Sequence, residues 1–158
     1  MAVSIKVEHI NPFILATIET FKTMMKLEVK PGKVTLERRT GFQSDLSGII
    51  GLSGGAKGSV SMTFPKITAL KVVSAFIGEK VVTMDDGVVD AIGELANIVA
   101  GAAKKDLVKY NISISLPTVV VGDNHELSGA KEVTPMYVPF ETPLGNFNLV
   151  VSFKSEIA

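Results

Sequence analysis

Asp90, Glu94 and Asn97 stand in the stretch DAIGELANIVAGAAKK, residues 90–105, which is otherwise built mainly of small and aliphatic residues. On a helix turning about 100° per residue, the three polar groups fall within an arc of about 60°. Gly101 shares that sector, and Lys104 and Lys105 lie on its two margins. Val88, Ile92, Leu95, Val99 and Ala103 gather on the opposite side, the one a helix turns to its core. Two carboxylates and a carboxamide thus line up along the exposed face. They are either a solvated surface or a device for chemistry on a partner. Asparagine is a mediocre helix former, and Gly93 and Gly101 each cost about 1 kcal/mol relative to alanine, so a helix selected for stability alone would avoid all three. The small residues around the polar line leave a low surface that another macromolecule can approach. Asp90 and Glu94 lie side by side on one face, which suits them poorly to flank a substrate as a glycosidase pair does.

The elements that would position this helix can be read from periodicity. Val3–Val7 alternates as a short strand would, with a mobile arm over residues 1–9 as the other reading. Asn11-Pro12 reads as N-cap and first helical position of a helix running to about Met25, and Pro31-Gly32 closes that region. Extended runs follow at Val34–Arg39, Leu46–Leu52 and Gly58–Phe64. SGGAKG between the last two suits a tight hairpin turn. It is not a phosphate-binding loop, because Lys57-Gly58-Ser59 reverses the required Gly-Lys-Ser order and no helix follows. Pro65 opens a helix in which Ile67, Leu70, Val73 and Ile77 keep helical spacing, and Gly78 stops it. Thr83, Asp85 and Asp86 are N-cap candidates for the helix that holds the polar line. Three β-rich runs end the chain, near Thr118–Val121, Lys131–Phe140 and Asn146–Phe153, with turns at Asp123-Asn124 and Pro143-Leu144-Gly145.

Consecutive strands imply antiparallel pairing. The expected fold is α+β: a mixed, largely antiparallel sheet with long helices packed on one face, in one domain spanning residues 1–158. A chain of 158 residues buries roughly 70% of its unfolded surface. Lys+Arg and Asp+Glu balance at 16 each, without basic clustering, which speaks against nucleic acid or an anionic membrane as partner. There is no cysteine, hence no disulfide or thiolate metal site. His9 and His125 are expected as lone surface or loop residues, and no metal site is expected. No G-x-S-x-G elbow or paired histidine marks a serine hydrolase. Apolar runs fall short of the ~20 residues of a membrane span. Charges stand in MAVSIKVEHINPF where a signal peptide needs its apolar core, so a cytoplasmic protein is expected.

Asp90-x3-Glu94-x2-Asn97, followed about twenty residues later by Pro117 in SLPTVV, resembles the signature of the CheC/CheX chemotaxis phosphatases. GIIGLSGGAKGSVSMTF is similar to that family's strand–turn–strand segment, TALKVVSAFIG to its next helix, and IGELANIVAG to its functional helix. The first helix carries Glu19 followed by Lys22 where a second motif would need Asn, so the single-motif CheX-like branch is the nearer resemblance.

The resemblance implies a protein phosphatase acting on the phosphoaspartate of a CheY-type receiver domain. Asn97 would position the attacking water, because a carboxamide both donates and accepts. Glu94 would engage the receiver's lysine. Asp90, Gly93 and Gly101 would face the partner, with close helix packing as the other reading of the glycines. Pro117 would shape the turn beside the site. No cofactor is implied on this chain, while Mg²⁺ is expected on the receiver. A homodimer joined through the sheets is also implied. The alternative is a catalytically silent dimeric module that binds a receiver or a flagellar-switch protein.

Overall fold

The structure is a computed structural model and describes residues 7–37, 42–127 and 134–155. Helix α1 is Val7–Met25, and strand β1 is Lys30–Pro31. The hairpin of β2 (Leu46–Gly54) and β3 (Ala56–Phe64) is followed by helices α2 (Lys66–Ile77) and α3 (Asp86–Lys104). A 3-10 turn over Lys105–Tyr110 leads into β4 (Ile112–Ile114), β5 (Thr118–Val121), β6 (Met136–Thr142) and β7 (Gly145–Ser155). The sheet runs β1-β6-β7-β3-β2-β4, and β5 pairs with the other end of β2. Every pairing between the described strands is antiparallel.

Period-two alternation sorts the sheet. Leu46, Ile50, Val60, Met62, Phe64, Val138, Phe140, Phe147, Leu149 and Val151 share one core with α1, α2 and α3. The alternating positions Ser47, Ser61, Thr63, Asn148 and Ser152 point to the other face, and all are buried. At the centre of the core, Phe147 stacks on Phe21 and on Phe140, each with ring centroids 5.1 Å apart, and Phe64 tilts against it at the same distance.

Several boundaries differ from the sequence expectation. Helix α1 begins at Val7, so Pro12 lies inside it. Proline there removes one hydrogen bond to Glu8 and crowds its carbonyl, but Glu8 is exposed in the first turn, where water substitutes. Burial of His9 and Ile10 draws that extra turn onto the core. His9 is therefore not a surface residue: it is 3% exposed, tilted against Phe153 at 4.9 Å and edge-on to Tyr110 at 5.3 Å. The expected strand at residues 3–7 falls almost wholly outside the described residues. Within the run 34–39, only Thr35 bridges to Tyr137, and residues 38 and 39 lie outside the description. The hairpin turn is broader than two residues in pairing terms: beyond Leu52↔Gly58, β2 continues against β4 and β3 against β7.

The local stops behave as expected. Gly78 takes φ 78° and donates its N–H to the Ser74 carbonyl, closing α2. Of the residues whose spacing identifies α2, however, only Val73 is fully buried. Thr68, Ala69, Val72 and Val73 face inward, while Ile67 and Ile77 are exposed. Tight seating of Thr68 over the Gly145 turn sets that rotation, since a side chain at Gly145 would collide with the Thr68 hydroxyl.

Asp45 ties three segments together just before β2. Its Oδ1 accepts from the Asn124 backbone N–H at 3.0 Å and from Gln43 Nε2 at 2.7 Å, and its Oδ2 accepts from the Lys66 N–H at 2.8 Å. Partial burial works against this charge, but those donors and the nearby His125 outweigh it and hold the carboxyl below its usual value of 3.8.

Two outcomes follow from these contacts. Phe147→Ala removes the shared ring of three aromatic pairs and should cost about 3–5 kcal/mol in urea unfolding. Asp45→Asn should cost about 1 kcal/mol at pH 7. Because the folded-state value is depressed, that gap between the two proteins is expected to close as pH falls below 3.8, and a gap that stays constant well below that pH would exclude the role.

Candidate functional site

Helix α3 is held from three directions, which leaves one face for function. Its start is capped by Asp85, whose Oδ1 accepts from the Val88 N–H at 3.0 Å, with Asp86 in the first turn. Beneath it runs β2, where Gly48 permits contact: a Cβ there would lie 3.0 Å from the Ile92 carbonyl and 3.1 Å from Ala96 Cβ. On its flank, Gly93 meets the segment that enters β5, where an added Cβ would lie 3.2 Å from Val119 Cγ2 and 3.4 Å from Pro117 Cβ. Val88, Ile92, Leu95, Val99 and Ala103 are all buried, as their periodicity predicts, and Ala91, Ala96 and Ala100 join them.

On the remaining face Asp90 and Glu94 are exposed, and Asn97 is half-buried. At 1.5 Å per residue, Glu94 and Asn97 are spaced about 4.5 Å along the helix axis, and Asp90 precedes Glu94 by about 6 Å. The side chain of none of the three takes part in a hydrogen bond or ion pair among the described residues. Their polar atoms are thus spent on nothing within the described chain. Gly101 is a low, open step in the same sector, with nothing within 4 Å of an added Cβ.

The two glycines stand in different surroundings. Gly93 is buried and serves close packing of the helix against Pro117, whereas Gly101 opens to solvent. Pro117 is half-buried, stands immediately before β5, and braces the helix at the level of Glu94. A line of this composition can pair with a cation, orient a water molecule and tolerate close approach of a surface. Helix α3 contains no serine, threonine or histidine that would supply a hydroxyl or imidazole there. Among the described residues no group of three or more His, Asp or Glu is placed to hold a metal ion.

Sequence reasoning missed a polar pair on the opposite sheet face. Ser47 Oγ lies 2.7 Å from His125 Nε2, and His125 Nδ1 lies 2.8 Å from the Gly122 carbonyl. A Ser–His pair does therefore exist, and His125 stands in a loop as expected. The carbonyl requires a proton on Nδ1, so in the neutral imidazole Nε2 accepts from the Ser47 hydroxyl. Ser47 is fully buried at the start of β2, which removes it from any substrate. A small cavity of about 110 Å³ beside the pair is lined by Ser44, Thr63, Tyr137 and Asn148. No local signal could have revealed the pair, because 78 residues separate its members.

The model of the family described as chemotaxis phosphatase CheX matches residues 46–141, which hold β2, β3, α2, α3 and the Pro117 turn. The CheY-P phosphatase CheX of Thermotoga maritima is 36% identical over 116 residues, covering 72% of this chain and 75% of that protein. A CheC-like superfamily protein from Shewanella sp. PV-4 superposes with a TM-score of 0.85 at 34% identity, over 94% of this chain and 99% of its own. CheX of Borrelia burgdorferi, solved in complex with CheY, BeF₃ and Mg²⁺, superposes with a TM-score of 0.78 at 26% identity, over 94% and 99% of the two chains. With the polar line of α3 inside the matched segment, the chain belongs to the chemotaxis phosphatase CheX family.

Proposed function

We propose that this chain, acting as a single CheX-like domain, hydrolyses the phosphoaspartate of a CheY-type receiver. Asn97 positions the attacking water and Glu94 engages the receiver. The observation that carries this reading is the pair itself: a carboxylate and a carboxamide one turn apart, without side-chain partners among the described residues, on the open face of a helix braced on its other sides.

An acyl phosphate is intrinsically reactive, so the enzyme's task is positioning more than activation. Water attacks phosphorus in line with the bond to the aspartyl oxygen. That bond breaks, releasing inorganic phosphate and the free carboxylate. The Asn97 carbonyl accepts from the water while its amide N–H donates toward the phosphoryl oxygens, which fixes the angle of attack. Mg²⁺ is held by the receiver, in keeping with its presence in the Borrelia complex with CheY, and neutralises charge on the transferred group. Glu94 pairs with a receiver ammonium, a contact that strengthens as the interface excludes water. Asp90, one turn before it, extends the contact surface, and Gly101 leaves room for the partner.

The same reading places the protein in the cytoplasm with its receiver; among the described residues no helix is long and apolar enough to cross a membrane. It also includes a homodimer joined through the sheets, with a separate site on each subunit.

Asn97→Ala should slow receiver dephosphorylation about 100-fold at saturating receiver, since loss of a positioning group acts on kcat. Glu94→Ala should weaken receiver binding and raise KM. Both positions lie outside the core, so the variants are expected to stay folded. The assay is decay of phosphate from a purified CheY-type receiver encoded by the same genome, with this protein at catalytic amounts. Undiminished turnover by Asn97→Ala would reject the assigned role, and unaccelerated decay by wild type would reject the phosphatase.

A further inference from the structure

Leu116 is 87% exposed, more than any other large apolar side chain among the described residues. A lone exposed leucine is ordinary on a mobile surface loop. The backbone here is anything but loose. Ser115 donates its N–H to the Gly51 carbonyl at 2.9 Å, and the Gly51 N–H donates to Ser115 Oγ at 2.8 Å. The same hydroxyl donates to the Leu116 carbonyl at 2.8 Å. On the other side, Pro117 fixes its own φ, restricts the residue before it to extended conformations, and sits against Gly93 of α3. Leu116 is therefore held on a pedestal between two anchors and contributes almost nothing to the core.

Its position gives it a use. Consecutive Cα atoms are about 3.8 Å apart, so Leu116 begins one residue from the proline that touches α3 beside Glu94. A macromolecule whose reacting group reaches Asn97 must cover far more than three polar side chains, because a stable interface takes roughly 800 Å² from each partner. The centre of such an interface needs an apolar anchor, and the stripe of Asp90, Glu94 and Asn97 offers none. An anchor whose backbone is already fixed loses little entropy on binding.

We propose that Leu116, with the exposed edge of Pro117, forms an apolar docking surface for the receiver beside its phosphoaspartate, so that the partner-binding face extends from α3 onto the turn between β4 and β5. This rests on the phosphatase reading. Leu116 supplies affinity and leaves the chemical step untouched.

The experiment measures binding and turnover separately. Binding uses the CheY-type receiver loaded with beryllofluoride and Mg²⁺; turnover uses the phosphorylated receiver. Leu116→Ala should raise both Kd and KM about tenfold, equivalent to about 1.4 kcal/mol, while kcat at saturation stays as in wild type. Leu116→Glu should raise them further, and Leu116→Met should restore them. Unfolding midpoints should not move, because the side chain is exposed. Wild-type Kd and KM in both Leu116→Ala and Leu116→Glu, with an active wild-type enzyme, would overturn the docking surface alone. A fall in kcat without a change in Kd would also overturn it. A wild type that neither binds nor dephosphorylates the receiver would overturn the phosphatase reading, and the docking surface with it.

Discussion

The architecture depends on how closely α3 approaches the backbones beside it. Gly48 on β2 lets the Ile92 carbonyl and Ala96 settle onto the strand, and Gly93 on the helix admits Pro117 and Val119 at its flank. Both contacts are tighter than most side-chain atoms make, so a larger residue at either position would press on the helix or its neighbours. These two approaches fix both the height and the rotation of α3. Everything on its outer face inherits its position from them. The glycines that weaken the helix intrinsically are thereby repaid in tertiary contact at Gly93 and in open surface at Gly101.

Such seating divides the helix into a side that belongs to the fold and a line that does not. Buried aliphatic and alanine side chains occupy most of the circumference. The polar groups that remain have no side-chain partner among the described residues and face water, where a carboxylate or amide costs the fold little. Had Glu94 or Asn97 been paired with a neighbouring side chain, any partner would first have to break that bond. Rigidity comes from the backbone, and availability from the unpaired side chains. Positioning chemistry needs both properties together.

The far side of the sheet follows the opposite logic. There Ser47, His125 and Asp45 are saturated with hydrogen bonds and stitch the 122–125 turn to the start of β2 and the first residue of α2. The turn leaving β5 is thus pinned at one end, while Pro117 presses α3 at the other. Strand β5 is held between two fixed points, which keeps the flank of α3 from moving away.

The polar line, its core-facing opposite and the caps were legible in the sequence. They depend on helical geometry over a few residues, and local backbone physics fixes that geometry wherever the chain folds. The same is true of Gly78 as a stop and of Asp85 as a cap. Family resemblance, carried by Glu94, Asn97 and Pro117 in their flanks, was equally a property of the string. Tertiary structure alone decided the rest. It buried His9 among Tyr110 and Phe153, carried α1 a turn beyond Asn11-Pro12, turned Ile67 outward, and brought Ser47 to His125. It also separated Gly93, which packs, from Gly101, which is open, although the two are alike in sequence. In each case the deciding contact joins residues far apart in the chain, and the energy of burying surface between distant elements outweighs the fraction of a kcal/mol to about 1 kcal/mol by which local propensities differ.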